Sequence, residues 1–94
     1  MALIFEWDNR KAKRNIAKHK VSFEEASTIF GDPLSITIED PTHSYPDEDR
    51  FVTIGSSFRG KILVVVHCDQ DDTILIISAR IATRRERKAY EEGK

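Results

Sequence analysis

Residues 50–80, RFVTIGSSFRGKILVVVHCDQDDTILIISAR, decide the fold class. Arg50 to Ser57 is rich in β-branched and aromatic residues. Lys61 to Cys68 is almost continuously apolar, and Thr73 to Arg80 is similar. Side chains of this kind fit a pleated, half-buried surface, and runs of this length between turn residues read as strands. Arg59-Gly60 and Asp69 to Asp72 supply the turns. The three runs therefore form an antiparallel meander.

Upstream of the meander, Leu3 to Glu6 is short and apolar, a candidate edge strand. Asp8 is placed to cap a helix from about Asn9 to His19, with Trp7 and Ala12 as a hydrophobic staple. Ala12 and Ile16 would form its narrow apolar stripe, with Asn15 and His19 at the border. Arg10, Lys11, Lys13, Arg14 and Lys18 fill the other faces. Ser22 with Glu25 reads as a capping box, and Val21 with Ala26 as a second staple. Phe23, Ala26, Ile29 and Phe30 then share one helical face, and Gly31 and Pro33 end the helix. Leu34 to Ile38 is a further candidate strand. Glu39 to Asp49, acidic and with two prolines, reads as a loop. Downstream, Thr83 and Glu86 make a third capping box. It opens a helix from Arg84 to about Glu92, supported by Arg87–Glu91 and Lys88–Glu92 pairs. The expected class is α+β: a small antiparallel sheet, with a meander over residues 50–80, two N-terminal helices and a short C-terminal helix.

A chain of 94 residues makes a single domain with a modest core. Its one cysteine, Cys68, excludes an internal disulfide and suits a reducing cytoplasm. MALIFEWDNRK lacks the basic-then-apolar order of a signal peptide. The longest apolar run, Ile62 to Val66, is far short of the roughly 20 residues of a membrane helix, so no membrane role is expected. The net charge is −1, but charges of one sign are clustered. Residues 1–20 carry 6 basic and 2 acidic side chains, residues 80–94 carry 6 and 3, and residues 21–79 carry 3 and 11. Local field rather than net charge governs polyanion binding. Two solvated helix faces with acidic loops would give the same count.

Four scattered glycines provide no phosphate loop, and no CxxC or HExxH spacing occurs, so neither a cofactor nor a metal is expected. The basic side chains are more informative. If the hairpins close at Arg59-Gly60 and Gln70-Asp71, Lys61 lies opposite Phe58 and Arg80, and His67 opposite Ile74. Period-two alternation then puts His67, Ile74, Ile76, Ser78, Arg80 and Lys61 on one face. Arg80 beside Lys61 is a like-charged pair that a phosphate or a partner carboxylate would relieve. Arg59, Arg84 and Arg87 reach the same end. His67 is the candidate general base by its ordinary pKa. It lies six residues from Lys61, about 20 Å along the strand, too far for one phosphate to contact both, and a lone histidine at the end of an apolar strand is more often structural. His19 reads as a helix C-terminal cation, His43 as an exposed loop residue and Tyr90 as a packing residue.

The chain resembles the BrnT family in three segments taken in order. FEWDNRKAKRNIAKHKVSFEEA resembles the family's opening, through Trp7-Asp8, Asn15, Lys18-His19 and Val21-Ser22-Phe23. DRFVTIGSSFRGKILVVVHC resembles its central hairpin. ISARIATRRERKAYEE resembles its closing strand and helix, through Arg80, Ala82, Thr83, Glu86 and Arg87. Lys20 stands where the family commonly has glycine, so the helix corner must turn with a side chain present. Ile81 stands where a basic residue is frequent. The resemblance implies a RelE-like fold and a toxin of a type II toxin–antitoxin system. Such a toxin cleaves RNA without a metal, inhibits translation and is neutralised by a BrnA-type antitoxin. The complex would contact operator DNA mainly through the antitoxin. On that reading Arg59, Arg80 and His67 are the catalytic candidates, and Lys61, Arg84 and Arg87 the RNA-binding ones. A non-enzymatic module that binds protein or nucleic acid through the same basic surface is the alternative. A metal-dependent nuclease is a third reading, weakened by carboxylates that sit mostly in loops and turns.

Overall fold

The computed structural model describes residues 3–40 and 50–93. The chain runs β1 (Ile4–Glu6), α1 (Asn9–His19), α2 (Phe23–Ser27), a 3-10 turn (Thr28–Gly31), β2 (Ile36–Glu39), β3 (Arg50–Ser56), β4 (Ile62–Gln70), β5 (Thr73–Ile81) and α3 (Arg84–Glu92). Both candidate strands outside the meander form, and Glu39 belongs to β2 rather than to a loop. Residues 41–49 of the expected acidic loop, His43 among them, lie outside the described residues.

The five strands make one sheet in the order β1-β5-β4-β3-β2. The meander is antiparallel as expected, but β1 lies parallel to β5, so the sheet is mixed rather than antiparallel. A parallel pair needs a long crossover, and a pairing between the first strand and the last leaves no local mark in the sequence.

The register differs from the expected one, which changes what lies beside what. The second hairpin turns on Asp71-Asp72, with Gln70 opposite Thr73 and Asp71 at φ 55°. In the first hairpin Ser57 N–H donates to the Lys61 carbonyl at 2.8 Å, so Lys61 pairs with Ser57, not Phe58. Arg80 is opposite Val64, and His67 is opposite Ile76. Between these pairs the register shifts by one residue, at Val66/His67 on β4, leaving Ile77 as the extra residue on β5. Such a bulge reverses which face later residues occupy. Ile74 and Ile76 therefore share the His67 face, whereas Ser78 and Arg80 sit on the opposite one. The expected single face carrying both His67 and Arg80 does not exist.

The helices divide between the two faces. Phe23, Ala26 and Ile29 pack with Leu63, Val65, Ile74, Ile76 and Ala79 into the core, with Trp7 and Ala12 at its rim. The other face meets α3, whose Tyr90 is buried. α1 is phased differently from the expected stripe: Ile16 is 46% exposed and Asn15 only 6%. Asn15 is satisfied because its Nδ2 donates to the carbonyls of Val21 at 2.9 Å and Ala79 at 2.8 Å. Its Oδ1 accepts from Ala79 N–H at 3.1 Å. A fully bonded amide is tolerated in a core.

All three expected caps are present. Asp8 accepts from the Arg10 and Lys11 amides, Ser22 from Glu25 and Thr83 from Glu86. Only the third is a complete capping box. Glu25 turns away from Ser22 and accepts from the Ser57 hydroxyl at 2.7 Å, tying α2 to the first hairpin. Lys20 takes the left-handed turn itself, at φ 60° and ψ 28°.

Candidate functional site

Where β5 hands over to α3, the local chemistry concentrates charge. Thr83 caps α3, and its N–H in turn donates to Glu86 Oε1 at 2.9 Å. The same carboxylate takes a fork from Arg80: Nη1 to Oε1 at 2.7 Å and Nη2 to Oε2 at 2.8 Å. This bond with Arg80 is the main reason that the Glu86 pKa falls to about 2; burial opposes it, and the Thr83 amide adds to it. The Arg80 pKa is raised by the same contact. Sequence reading found Glu86 as a cap but missed it as the partner of Arg80. The two are six residues apart across a strand-to-helix junction, a spacing with no periodic signature.

Arg84 and Arg87 are exposed on α3. The Arg84 and Arg85 amides, at the start of the helix, have no acceptor among the described residues. Ala82 N–H donates to the Ile62 carbonyl at 2.9 Å, so the ladder continued by one residue sets Lys61 level with Thr83. Lys61 thus reaches the α3 end of the sheet but is not the cross-strand neighbour of Arg80. It is displaced from Val64, Arg80's partner, by three residues, about 10 Å. Arg59 is at the tip of the first hairpin with its guanidinium 5.5 Å from the Phe58 ring centre. It lines a cleft with Ser22, Glu24, Glu25, Thr28 and Phe58, on the α2 side.

His67 is brought to none of these. It is 1% exposed. Its Nε2 is 2.7 Å from Thr53 Oγ1, which is 2.7 Å from Thr37 Oγ1, and its Nδ1 is 2.6 Å from Asp69 Oδ1. Phe30 meets the ring edge-on at 4.9 Å and Phe51 stacks at 5.9 Å. Both nitrogens are occupied and both aromatic contacts are internal, which is the environment of a packed histidine. Tyr90 is likewise internal. Its hydroxyl donates to Asp32 Oδ2 at 2.5 Å, and that bond, with burial, pushes its pKa up to about 12. Among the described residues no group of three His, Cys, Asp or Glu side chains is arranged to hold a metal ion.

A sequence profile for the ribonuclease toxin BrnT of type II toxin–antitoxin systems matches residues 7–86. The chain therefore belongs to the BrnT ribonuclease toxin family, and membership of a type II system implies an antitoxin partner. Among solved structures, the fold is similar to the Brucella abortus ribonuclease toxin BrnT, whose crystal structure was determined at 1.1 Å. The TM-score is 0.66 at 22% identity, covering 88% of this chain and 100% of that one. A search of curated proteins gave no match. Among the described residues, no helix is long and apolar enough to cross a membrane.

Proposed function

We propose that this chain is a RelE-like endoribonuclease that inhibits translation, with the scissile phosphate held at the Arg80–α3 end of the sheet. The family match over residues 7–86 carries the reading, because it spans Arg80, Thr83 and Glu86 together. The geometry supports that end in three ways. The Glu86 fork uses two of the five donors of a guanidinium and Nη1 gives a third to the Ile81 carbonyl at 3.4 Å, which leaves Nε and one Nη2 donor for a phosphate. The free amides at the start of α3 favour an anion. Arg84 and Arg87, exposed on α3, add charge near that terminus, and Lys61 lies about 10 Å away along the sheet.

The RNA 2′-hydroxyl is the nucleophile in this reading, and no metal is required. It attacks the adjacent phosphorus and gives its proton to water, negative charge grows on the phosphate oxygens, and the 5′-oxygen leaves with a proton from water, giving a 2′,3′-cyclic phosphate. Arg80 and the α3 amides stabilise that charge. Lys61, Arg84 and Arg87 hold the RNA backbone, Arg59 reaches an outlying phosphate, and His67 keeps the sheet in shape. A BrnA-type antitoxin neutralises the toxin, and the pair contacts operator DNA through the antitoxin, in the cytoplasm.

The test is RNA cleavage by Arg80→Ala and His67→Ala, with folding followed by thermal melts and a chelator arm included. Arg80→Ala should remain folded and lose about 2–4 kcal/mol of transition-state stabilisation, roughly 30- to 1,000-fold in rate. A folded Arg80→Ala with full activity overturns the assignment.

A further inference from the structure

A second cluster of cations lies outside the site just described. α1 contains no acidic residue. Lys11, Arg14 and Lys18 follow one another at i, i+3 and i+7, on one side of the helix. With His19 they wall a groove of about 260 Å³ whose floor is Asn15, Ile77 and Ser78. None of its cations meets an acidic side chain among the described residues. Like charges at this spacing cost helix stability, by a few tenths of a kcal/mol per pair, and no acidic side chain among the described residues offsets it.

The groove connects to the Arg80 site. β1 pairs only with Thr73, Ile74 and Leu75, so it leaves the outer edge of β5 open from the bulge onwards. Asn15 covers that edge at Ala79 alone. Ser78 lies on the groove floor and, after the bulge, on the same face as Arg80, two residues or about 7 Å away along the strand. A chain lying on Arg80 can pass Ser78, cross the open edge and enter the α1 groove. The cations from Lys11 to Lys18 extend about 10 Å along the helix. One narrow row of charge follows a single backbone better than it spans a duplex.

We propose that this groove is a second binding site, taking the phosphodiester backbone of single-stranded RNA that flanks the scissile bond. The proposal rests on the ribonuclease reading for the identity of the flanked bond, but its own readout is binding.

The experiment compares the wild-type chain with Lys11→Gln/Arg14→Gln/Lys18→Gln and with a charge-matched control, Arg10→Gln/Lys13→Gln/Lys88→Gln. The probe is a 2′-O-methyl single-stranded RNA, which binds but cannot be cut, titrated by fluorescence anisotropy from 0.1 to 1 M salt. Losing three contacts should reduce the slope of log affinity against log salt by about 2, roughly 100-fold in affinity at 0.1 M relative to 1 M. The control should keep its slope. On cleavable RNA the groove variant should show a raised KM with kcat unchanged, and equal cleavage of a dinucleotide. An unchanged slope, an equal loss in the control, a loss confined to duplex DNA, or no wild-type binding to the probe would each overturn the groove. A wild type that binds the probe but cuts no RNA would sink the ribonuclease reading, leaving the groove to be decided by its slope.

Discussion

Arg80 and Glu86 meet through two parallel hydrogen bonds, 2.7 and 2.8 Å long, and so fasten the last strand to the last helix. An arginine expected beside Lys61 is instead held by a carboxylate that also caps α3. The pair orients the guanidinium, and its energetic contribution depends on pH.

Glu86 has its pKa lowered to about 2 in the folded chain, against about 4.3 in an unfolded one. Its contribution is therefore fully present above about pH 4.3 and is lost as pH falls towards 2. Arg80 is 41% exposed and Glu86 28%, so solvent screening reduces the contribution to about 1 kcal/mol. Glu86→Gln should flatten the acid limb of the stability curve by that amount in urea melts between pH 5 and 2. An unaltered acid limb would show that the fork is not coupled to folding.

His67→Ala removes a ring packed between Phe30 and Phe51 and leaves the Thr53 hydroxyl without one of its partners. The expected loss is about 2–4 kcal/mol, measured by denaturant unfolding. RNA cleavage per folded molecule should stay within about twofold. A stable variant that had lost cleavage would instead give the histidine a chemical role.

Lys20→Gly should stabilise the chain. A lysine at φ 60° bears a steric cost that glycine avoids, part of which glycine's greater unfolded-state freedom cancels. The net gain should be about 0.5–1 kcal/mol, a rise of several degrees in Tm. Lys20→Val should shift Tm the other way, because β-branching worsens the strain. A Tm lowered by glycine would contradict the account.

Asn15→Leu keeps the volume of the side chain but strips the partners from both backbone groups of Ala79 and from the Val21 carbonyl. Leaving buried polar groups unpaired should cost about 3 kcal/mol. Hydrogen exchange at the Ala79 amide should accelerate by more than the global loss of stability accounts for. Equal acceleration everywhere would mean that Asn15 supports the fold generally rather than closing this edge.

The caps at Asp8, Ser22 and Thr83 and the three strands of the meander were legible because each is written in neighbouring residues. The site was legible only in part. Thr73 to Ile77 is apolar at nearly every position, so its alternation carries no parity, and a one-residue bulge inside it is silent. That silence put Arg80 on the His67 face, and together with a turn expected at Gln70-Asp71 rather than Asp71-Asp72 it set Lys61 beside Arg80. Asn15 was hidden for a related reason: its partners are 6 and 64 residues away, and an amide bonding to backbone imposes no residue type on them. The row Lys11, Arg14, Lys18 was visible as charge, but its meaning depends on where β1 stops.

The bond from Asn15 to Ala79 spans 64 residues, and β1 likewise waits for β5. During synthesis the first twenty residues therefore have nothing to rest on until the last strand has left the ribosome. Chains stalled before Thr73 are expected to be digested throughout by protease, and a resistant N-terminal fragment would refute this. A member of a ribonuclease toxin family whose first and last parts complete one another is held inactive until its own message has nearly been read.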